Sequence, residues 1–577
     1  MRRRTSLAAA LAVGTAWAAS ACGIPTGKAP EIIDDAPSDF GESSGTSVEV
    51  FEPTADAGET VGNFLRAAAG DPASRDDRLN KFTAAGSTKF SDPTLGLRLV
   101  DHLNVSVEGG GNPLESANVK VTGTVIGVYF HQDGWARMAS PYAYEETFML
   151  RRDGGLQDSW EIQSLPSQVS LDYQQFLGSY TESPLYFQTD QAELLVPDLR
   201  WIYDDLDADT RRRLLLDWLL RGPSDVPGQS SRTAIPIGTV GKISTPDGVV
   251  EIDLQLDEPV DDRSVQDAMA AQVAWSLNLV DGFVLTADGD TIAEGSLADW
   301  RTWNAIPSDL PQTAYFIAED QVWEYTGEGV SVTSADHPWV GFTAEGLRQV
   351  AVGPADQLAA VVASGAGEVL QVGPTDAAMG TVAGLGNALT DPQWHPVSAL
   401  IVLSDGVPTV VDPNTRTVVQ TLPVGEGVTA MSLAADGRRL AYVEDGEAWV
   451  ATLIVDADRN LQAGEARRIG TDVEDVTDVA WSSENFLWVA GQRGNDTLFN
   501  IALDNSHTSA QPGTSGLVFS EIAAVPADPV ESVVNRGDPV LAVANQTLYR
   551  IHTASGPEGV RNGTAAVGGT APFTVLQ

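Results

Sequence analysis

The second half of the chain repeats, and the repeat restricts its fold more than any other feature. One unit reads Val350-Ala351-Val352-Gly353-Pro354 and then an apolar run from Leu358 to Val362. The next reads Pro392-Gln393-Trp394-His395-Pro396, then Leu400 to Leu403. A third runs from Met431 to Gly437 and resumes at Leu440-Ala441-Tyr442-Val443. Val479-Ala480-Trp481-Ser482 with Leu487 to Ala490, and Ile522 to Pro526 with Val540 to Val543, continue the series. Each copy joins a short apolar strand, a small polar turn and a second apolar strand. The spacing of about 40–47 residues is that of a four-stranded propeller blade. Phe316-Ile317-Ala318 and Val322-Trp323 begin an earlier copy, so about six blades are expected over residues 311–577. Pro572 to Leu576 is placed to supply a last strand that closes the ring. Closure removes the open edges on which other chains could pair.

A chain of 577 residues is too long for one core, and the sequence ahead of the repeats divides accordingly. Arg2, Arg3 and Arg4 precede an apolar run from Leu7 to Ala19, then Ala19-Ser20-Ala21-Cys22. That is a basic start, an apolar stretch short for a membrane span, and a small-residue cleavage site. Residues 1–21 are expected to be a signal peptide, leaving the lone cysteine, Cys22, at the new terminus. The run resembles the lipobox of bacterial lipoproteins, with Ala19 in a slot more often held by a larger aliphatic residue. The resemblance implies that Cys22 carries lipid. Residues 22–60 read as a flexible tether, rich in small, polar and helix-breaking residues, with a reach of roughly 35 Å.

Residues 61–184 open with a helical stripe of Val61, Phe64, Leu65 and Ala68, stopped by Gly70-Asp71-Pro72, and a second helix around Leu79 and Phe82. The period then becomes two, through Val119, Val121, Gly123 and Val125, with turns at Gln132-Asp133-Gly134 and Asp153-Gly154 and a last strand at Trp160 and Ile162. The order resembles an NTF2-like cone, an α+β layout. Tyr129, His131 and Trp135 are candidates to line a pocket in it, or to pack.

Residues 185–310 carry a helix whose buried face is Leu214, Leu215, Trp218 and Leu219, with Arg211, Arg212 and Arg213 paired to Asp204, Asp205 and Asp207. Ile235 and Ile237, then Ile243, lead to a Pro246-Asp247-Gly248 turn and the strand Val250, Ile252, Leu254. After Asp261-Asp262, Val265, Met269, Val273, Leu277 and Val280 share a helix face, and Phe283 and Leu285 return as a strand. The stretch Gly248 to Leu254 and the amphipathic helix through Trp275 resemble the GerMN domain of spore-germination proteins. Asp253 and Asp257 lie near a loop, as cation ligands or as outward strand positions.

The formal net charge of −45 disfavours nucleic acid and anionic headgroups as partners. No pair among His102, His131, His337, His395, His507 and His552 has two-ligand spacing on one element, so no metal and no cofactor is expected. Glu145-Glu146 would face opposite sides of a strand. Gly238 to Lys242 lacks the full phosphate-loop spacing, and Gly513 to Gly516 has no nucleophile elbow. His395 with Asp391 is the one acid/base candidate, and a histidine between Trp394 and Pro396 also suits packing. No catalytic residue is assigned and no enzyme activity is expected.

Lipobox, tether, two α+β domains and an all-β propeller, in that order, resemble the LpqB family of actinobacterial lipoproteins. The resemblance spans essentially the whole chain. It implies a lipid-anchored protein on the extracytoplasmic face of the cell membrane that contacts the extracytoplasmic domain of the sensor kinase MtrB in the MtrA–MtrB two-component system and influences envelope homeostasis and division. It supplies no binding residue. An envelope glycan- or lipid-binding module using Tyr129 or Trp135, and a propeller-based envelope hydrolase, are the alternatives.

Overall fold

The computed structural model describes residues 51–83, 95–108, 114–189, 194–308, 310, 313–327, 329–396, 399–530, 540–553 and 555–575. Cys22 and the expected signal peptide and most of the tether lie outside them. No helix among the described residues is long and apolar enough to cross a membrane.

Helix α1 (Ala57–Ala67) starts where Asp56 accepts a hydrogen bond from the Glu59 N–H, and it buries Val61, Phe64 and Leu65. Helix α2 (Arg75–Asn80) follows. Both lie over a sheet of β1 (Leu97–Glu108), β2 (Ser116–Phe130), β3 (Trp135–Arg151), β4 (Glu161–Ile162) and β5 (Ser170–Asp172), in the order β4-β3-β2-β1-β5. The alternation of Val119, Val121 and Val125 points them into one core with Phe64, Phe82 and Phe148. Helix α3 (Tyr173–Ser179) adds Phe176 to the same core. Strand β5 runs parallel to β1, so this unit extends past Ile162.

Short strands follow: β6 (Tyr180–Glu182) pairs with β9 (Trp201–Tyr203), and β7 (Leu185–Thr189) with β8 (Leu195–Asp198) and β10 (Ser231–Arg232). A second core forms where α4 (Ala208–Leu219) and α5 (Arg263–Ser276) cover one face of a sheet of β11 (Val240–Ser244), β12 (Val250–Gln255), β13 (Phe283–Ala287) and β14 (Asp290–Gly295). Strands β12 and β13 are parallel because α5 crosses between them. Asp207 and Asp262 cap the two helices, satisfying N–H groups that the first turn leaves free.

Several expectations for this region need correction. The buried face of α4 is Leu215, Leu216, Trp218 and Leu219, with Leu214 only partly covered. On α5 burial is continuous from Ala268 to Ser276, because the helix is sandwiched rather than laid on one surface. Val265 and Val280 lie outside that zone and are exposed. Ile237 is not a strand residue; it sits at the tip of a turn and is 85 % exposed.

From Ala314 the described chain forms six four-stranded sheets, with consecutive antiparallel strands in each. The first sheet is completed by Thr570–Phe573, which pairs with Ala314–Ala318. The closing strand expected at residues 572–576 thus lies a little earlier. The innermost strands of the sheets are Leu347–Gly353, Leu389–His395, Ala430–Leu433, Glu474–Trp481, Phe519–Ala524 and the closing strand itself. Each packs against the next, and the last returns to the first, so they form a ring. The residues buried between neighbouring sheets are the apolar runs of the repeat, such as Leu358, Ile401, Leu440, Leu487 and Leu541.

Candidate functional site: the central channel

All six innermost strands line one cavity of ≈ 700 Å³. What they present to it follows from a recurring irregularity. Four of these strands carry a register shift at the same place: beside Gln349, at Asp391, before Asp478 and beside Glu521. A bulge re-aims the side chain that sits on it. Here it turns a polar side chain from its own sheet to the backbone of the next.

Gln349 accepts from the Asp391 N–H at 2.5 Å and donates to Asp391 Oδ1 at 3.2 Å. Asp391 Oδ2 accepts from the Met431 N–H at 3.1 Å. Asp478 Oδ2 accepts from the Ile522 N–H at 2.6 Å, and Glu521 Oε2 from the Ala571 N–H at 2.5 Å. Asp391 takes a left-handed backbone, φ 50°, to do this, a conformation aspartate tolerates better than most residues. Tryptophans bond in the other direction: Trp394 Nε1 donates to Ala351 O of the preceding sheet and Trp481 Nε1 to Ser432 O. Neighbouring sheets are thus stitched both forward and backward along the channel wall.

Burial pushes the Asp391 carboxyl up to about 7, with the Glu521 charge adding to the shift. Asp478 is pushed well up by burial and by Asp391, and Glu521 is raised by burial. The bonds donated by backbone N–H groups oppose these shifts without cancelling them. Three acids therefore face one chamber and disfavour each other's charge.

His395 does not act with Asp391 as an acid/base pair. Its Nε2 lies 2.7 Å from Gly437 O, and burial lowers its pKa to about 4. The ring is a neutral strut between two sheets, while Asp391 is engaged by Gln349 and Met431.

At one mouth of the channel the other domains reach in. Ile306, buried, contributes to the lining there. Glu484, in the hairpin after Glu474–Trp481, accepts from Tyr186 Oη at 2.7 Å and Asn304 Nδ2 at 2.5 Å. Arg439 lies over the Trp481 ring, pairs with Asp436 and donates to Glu484 O. The same sheet receives the first α+β unit: Trp201 Nε1 donates to Asp504 at 2.8 Å and Tyr173 Oη to Ser506 O at 2.7 Å. Phe486 and Ala502 join that unit's apolar core.

Other candidates fall elsewhere. Tyr129 is buried against Phe176 and Tyr180 and donates to Trp201 O at 2.8 Å, so it is a core residue rather than a pocket wall. His131 is buried with its pKa lowered to about 4 by desolvation and Arg75. Trp135 stacks on Phe130 under the Arg137 guanidinium. Arg211 donates to Ser183 Oγ and interacts electrostatically with Asp204, and the exposed Arg213 does so with Asp207, while Arg212 pairs with Asp209. Asp253 accepts from Thr286 Oγ1 and the Gly289 N–H, bracing the β13–β14 turn, and Asp257 is exposed. Glu145 pairs with Lys120 across β2 and β3. Among the described residues no group of three or more His, Cys, Asp or Glu is placed to hold a metal ion.

Of this set the sequence singles out only Asp391; Gln349, Asp478 and Glu521 carry no motif. The signal that could have found them is positional: Gln349-Val-Ala-Val, Asp391-Pro-Gln-Trp, Asp478-Val-Ala-Trp and Glu521-Ile-Ala-Ala place a polar residue inside four of the six inner strands, ahead of a mostly apolar run. Ala430-Met-Ser-Leu breaks the series.

Comparison with known proteins bears on most of the chain. The family model described as the Lipoprotein LpqB beta-propeller domain matches residues 320–555, and that described as Sporulation and spore germination matches residues 184–293. Lipoprotein LpqB of Rhodococcus jostii is 25% identical over 550 residues, covering 88% of each chain. Lipoprotein LpqB of Mycolicibacterium smegmatis is 24% identical over 556 residues, 89% of this chain and 92% of the relative. Among solved structures, Kuenenia stuttgartiensis hydrazine synthase superposes on 43% of this chain and 78% of its own at 14% identity and a TM-score of 0.29. An inactive H270A virginiamycin B lyase from Staphylococcus aureus covers 44% and 85% at 10% identity, also with a TM-score of 0.29.

Proposed function

Because the chain is LpqB-like over 88% of its length, we propose that it is a lipid-anchored, extracytoplasmic accessory protein that binds the sensor kinase MtrB and modulates MtrA–MtrB signalling, and through it envelope homeostasis and division. On this reading Cys22 carries the anchor and residues 22–60 are the tether. Residues 61–184 form an NTF2-like domain, 185–310 a GerMN-like domain and 311–577 a six-bladed propeller. The protein acts by contact and without catalysis.

The end-to-end relationship to LpqB lipoproteins is the observation that carries this reading. Physics makes it workable. An anchored protein and a kinase in one bilayer meet at a high effective concentration, so a weak polar interface suffices. Modulation then requires different affinity for two kinase states, since equal binding shifts neither. The joints at Glu484 and Asp504 add support, because interlocked domains present one surface rather than three independent ones. The burial of Tyr129 weighs against the alternative of a glycan- or lipid-binding cone.

Crosslinking in intact membranes tests the proposal, with the Cys22→Ala form as control. Kinase should be captured by the lipidated chain and largely lost from the control. A bare Cys22 thiol in native material, or no captured kinase, overturns it.

A further inference from the structure

We propose that the central channel is a binding site for an organic ammonium ion, a protonated amine carried on an apolar stem. Its volume of ≈ 700 Å³ falls within the range small ligands occupy. Its lining combines the rings of Trp394, Trp481 and Phe573 with the carboxyl groups of Asp391, Asp478 and Glu521. Aromatic faces and carboxylates both attract an alkylammonium group, and apolar walls accept its stem.

The channel's own charges leave such a ligand a place. None of the ion pairs among the described residues includes Asp391, Asp478 or Glu521. The cation at the mouth, Arg439, is held by Asp436 and by Glu484 O, so it does not neutralise them. Among the described residues the acids are not grouped to hold a metal ion. Each is fixed by the backbone of the next sheet, so the site is formed before a ligand arrives. The proton that Asp391 retains near neutrality is displaced when an ammonium ion enters, which couples binding to proton release.

The test is calorimetric titration of the full mature chain in detergent with n-pentylamine, in two buffers of different ionisation enthalpy. Hexanoate, calcium chloride and a lysine-containing peptide are titrated in parallel. The amine should bind saturably, release protons between pH 6 and 7, and bind more tightly as pH rises through about 7. Glu521→Gln keeps an acceptor for the Ala571 N–H and removes a charge, and should weaken binding about tenfold. The unaltered chain decides the matter even if that variant misfolds. Binding of the peptide but not the free amine upholds the chemistry and assigns it to a lysine side chain of a polypeptide; binding of the free amine alone assigns it to a small molecule. No binding of amine or peptide at about 10 mM, equal binding of hexanoate, calcium binding in place of the amine, or amine binding without proton release would overturn the proposal.

Discussion

Tyr186 donates its hydroxyl proton to Glu484 Oε2 at 2.7 Å, joining residues 298 positions apart in the chain. Both groups are buried, and burial raises the Glu484 carboxyl even with Tyr186 and Asn304 donating to it. Tyr186→Phe leaves that oxygen without its donor. It should cost about 1–3 kcal/mol of stability, the penalty for a buried acceptor left unpaired. Denaturant unfolding of the two forms measures it. Asn304→Ala should cost a similar amount, and the double variant less than the sum, since the two donors share one carboxyl group.

A second prediction concerns pH. Asp391 has its folded pKa raised to about 7 from an ordinary carboxylate value. A raised folded pKa means that the folded chain holds a proton the unfolded chain has lost. The stabilisation is complete below about pH 4 and is lost as pH rises through about 7. The thermal midpoint should therefore fall between those values, and Asp391→Asn, which has no proton to lose, should flatten the slope. A slope unchanged by the substitution would mean that Asp391 ionises freely.

The strands were legible because burial writes itself into sequence as apolar runs. Leu358 to Val362 and Leu400 to Leu403 are buried as their composition requires. Helix starts were legible through Asp262 and its neighbours. The channel was not, because its polar lining is divided among single residues 42, 87 and 43 positions apart that differ in kind, Gln349, Asp391, Asp478 and Glu521. Only the bulges bring them to one surface, and a bulge has no fixed composition. Tyr129 and Ile237 end in opposite environments for one reason: an apolar period does not say which other element will cover it. Phe176 and Tyr180 cover Tyr129, while nothing among the described residues buries Ile237.

His395 provides a third prediction. Its folded pKa is lowered to about 4 by burial, so the folded chain holds the ring neutral where the unfolded chain takes up a proton. That contribution to stability is present above about pH 6.5 and shrinks as pH falls towards 4. Nuclear magnetic resonance should show the His395 ring shifts unchanged from pH 8 to pH 5. A His395 midpoint near 6.5 would contradict the burial assigned to the ring.

The last prediction tests how the first α+β unit is seated. Gly134 closes the β2–β3 turn at φ 73°, and its carbonyl accepts from the Trp201 N–H at 2.6 Å. A Cβ at this position would lie 2.4 Å from the Trp218 ring of α4. Two penalties combine in Gly134→Ala: a left-handed backbone that alanine resists and a clash with a ring that is itself buried. The ring cannot swing aside, because Leu185, Ile202 and Leu219 belong to the same packed core. The loss should be about 3 kcal/mol or more, read as a lower denaturant midpoint. Adding Trp218→Leu, which makes room for the methyl group, should recover part of what Gly134→Ala loses while imposing its own cavity cost. If the two substitutions prove strictly additive, the hairpin and α4 are not in contact and the seating described for this unit is wrong.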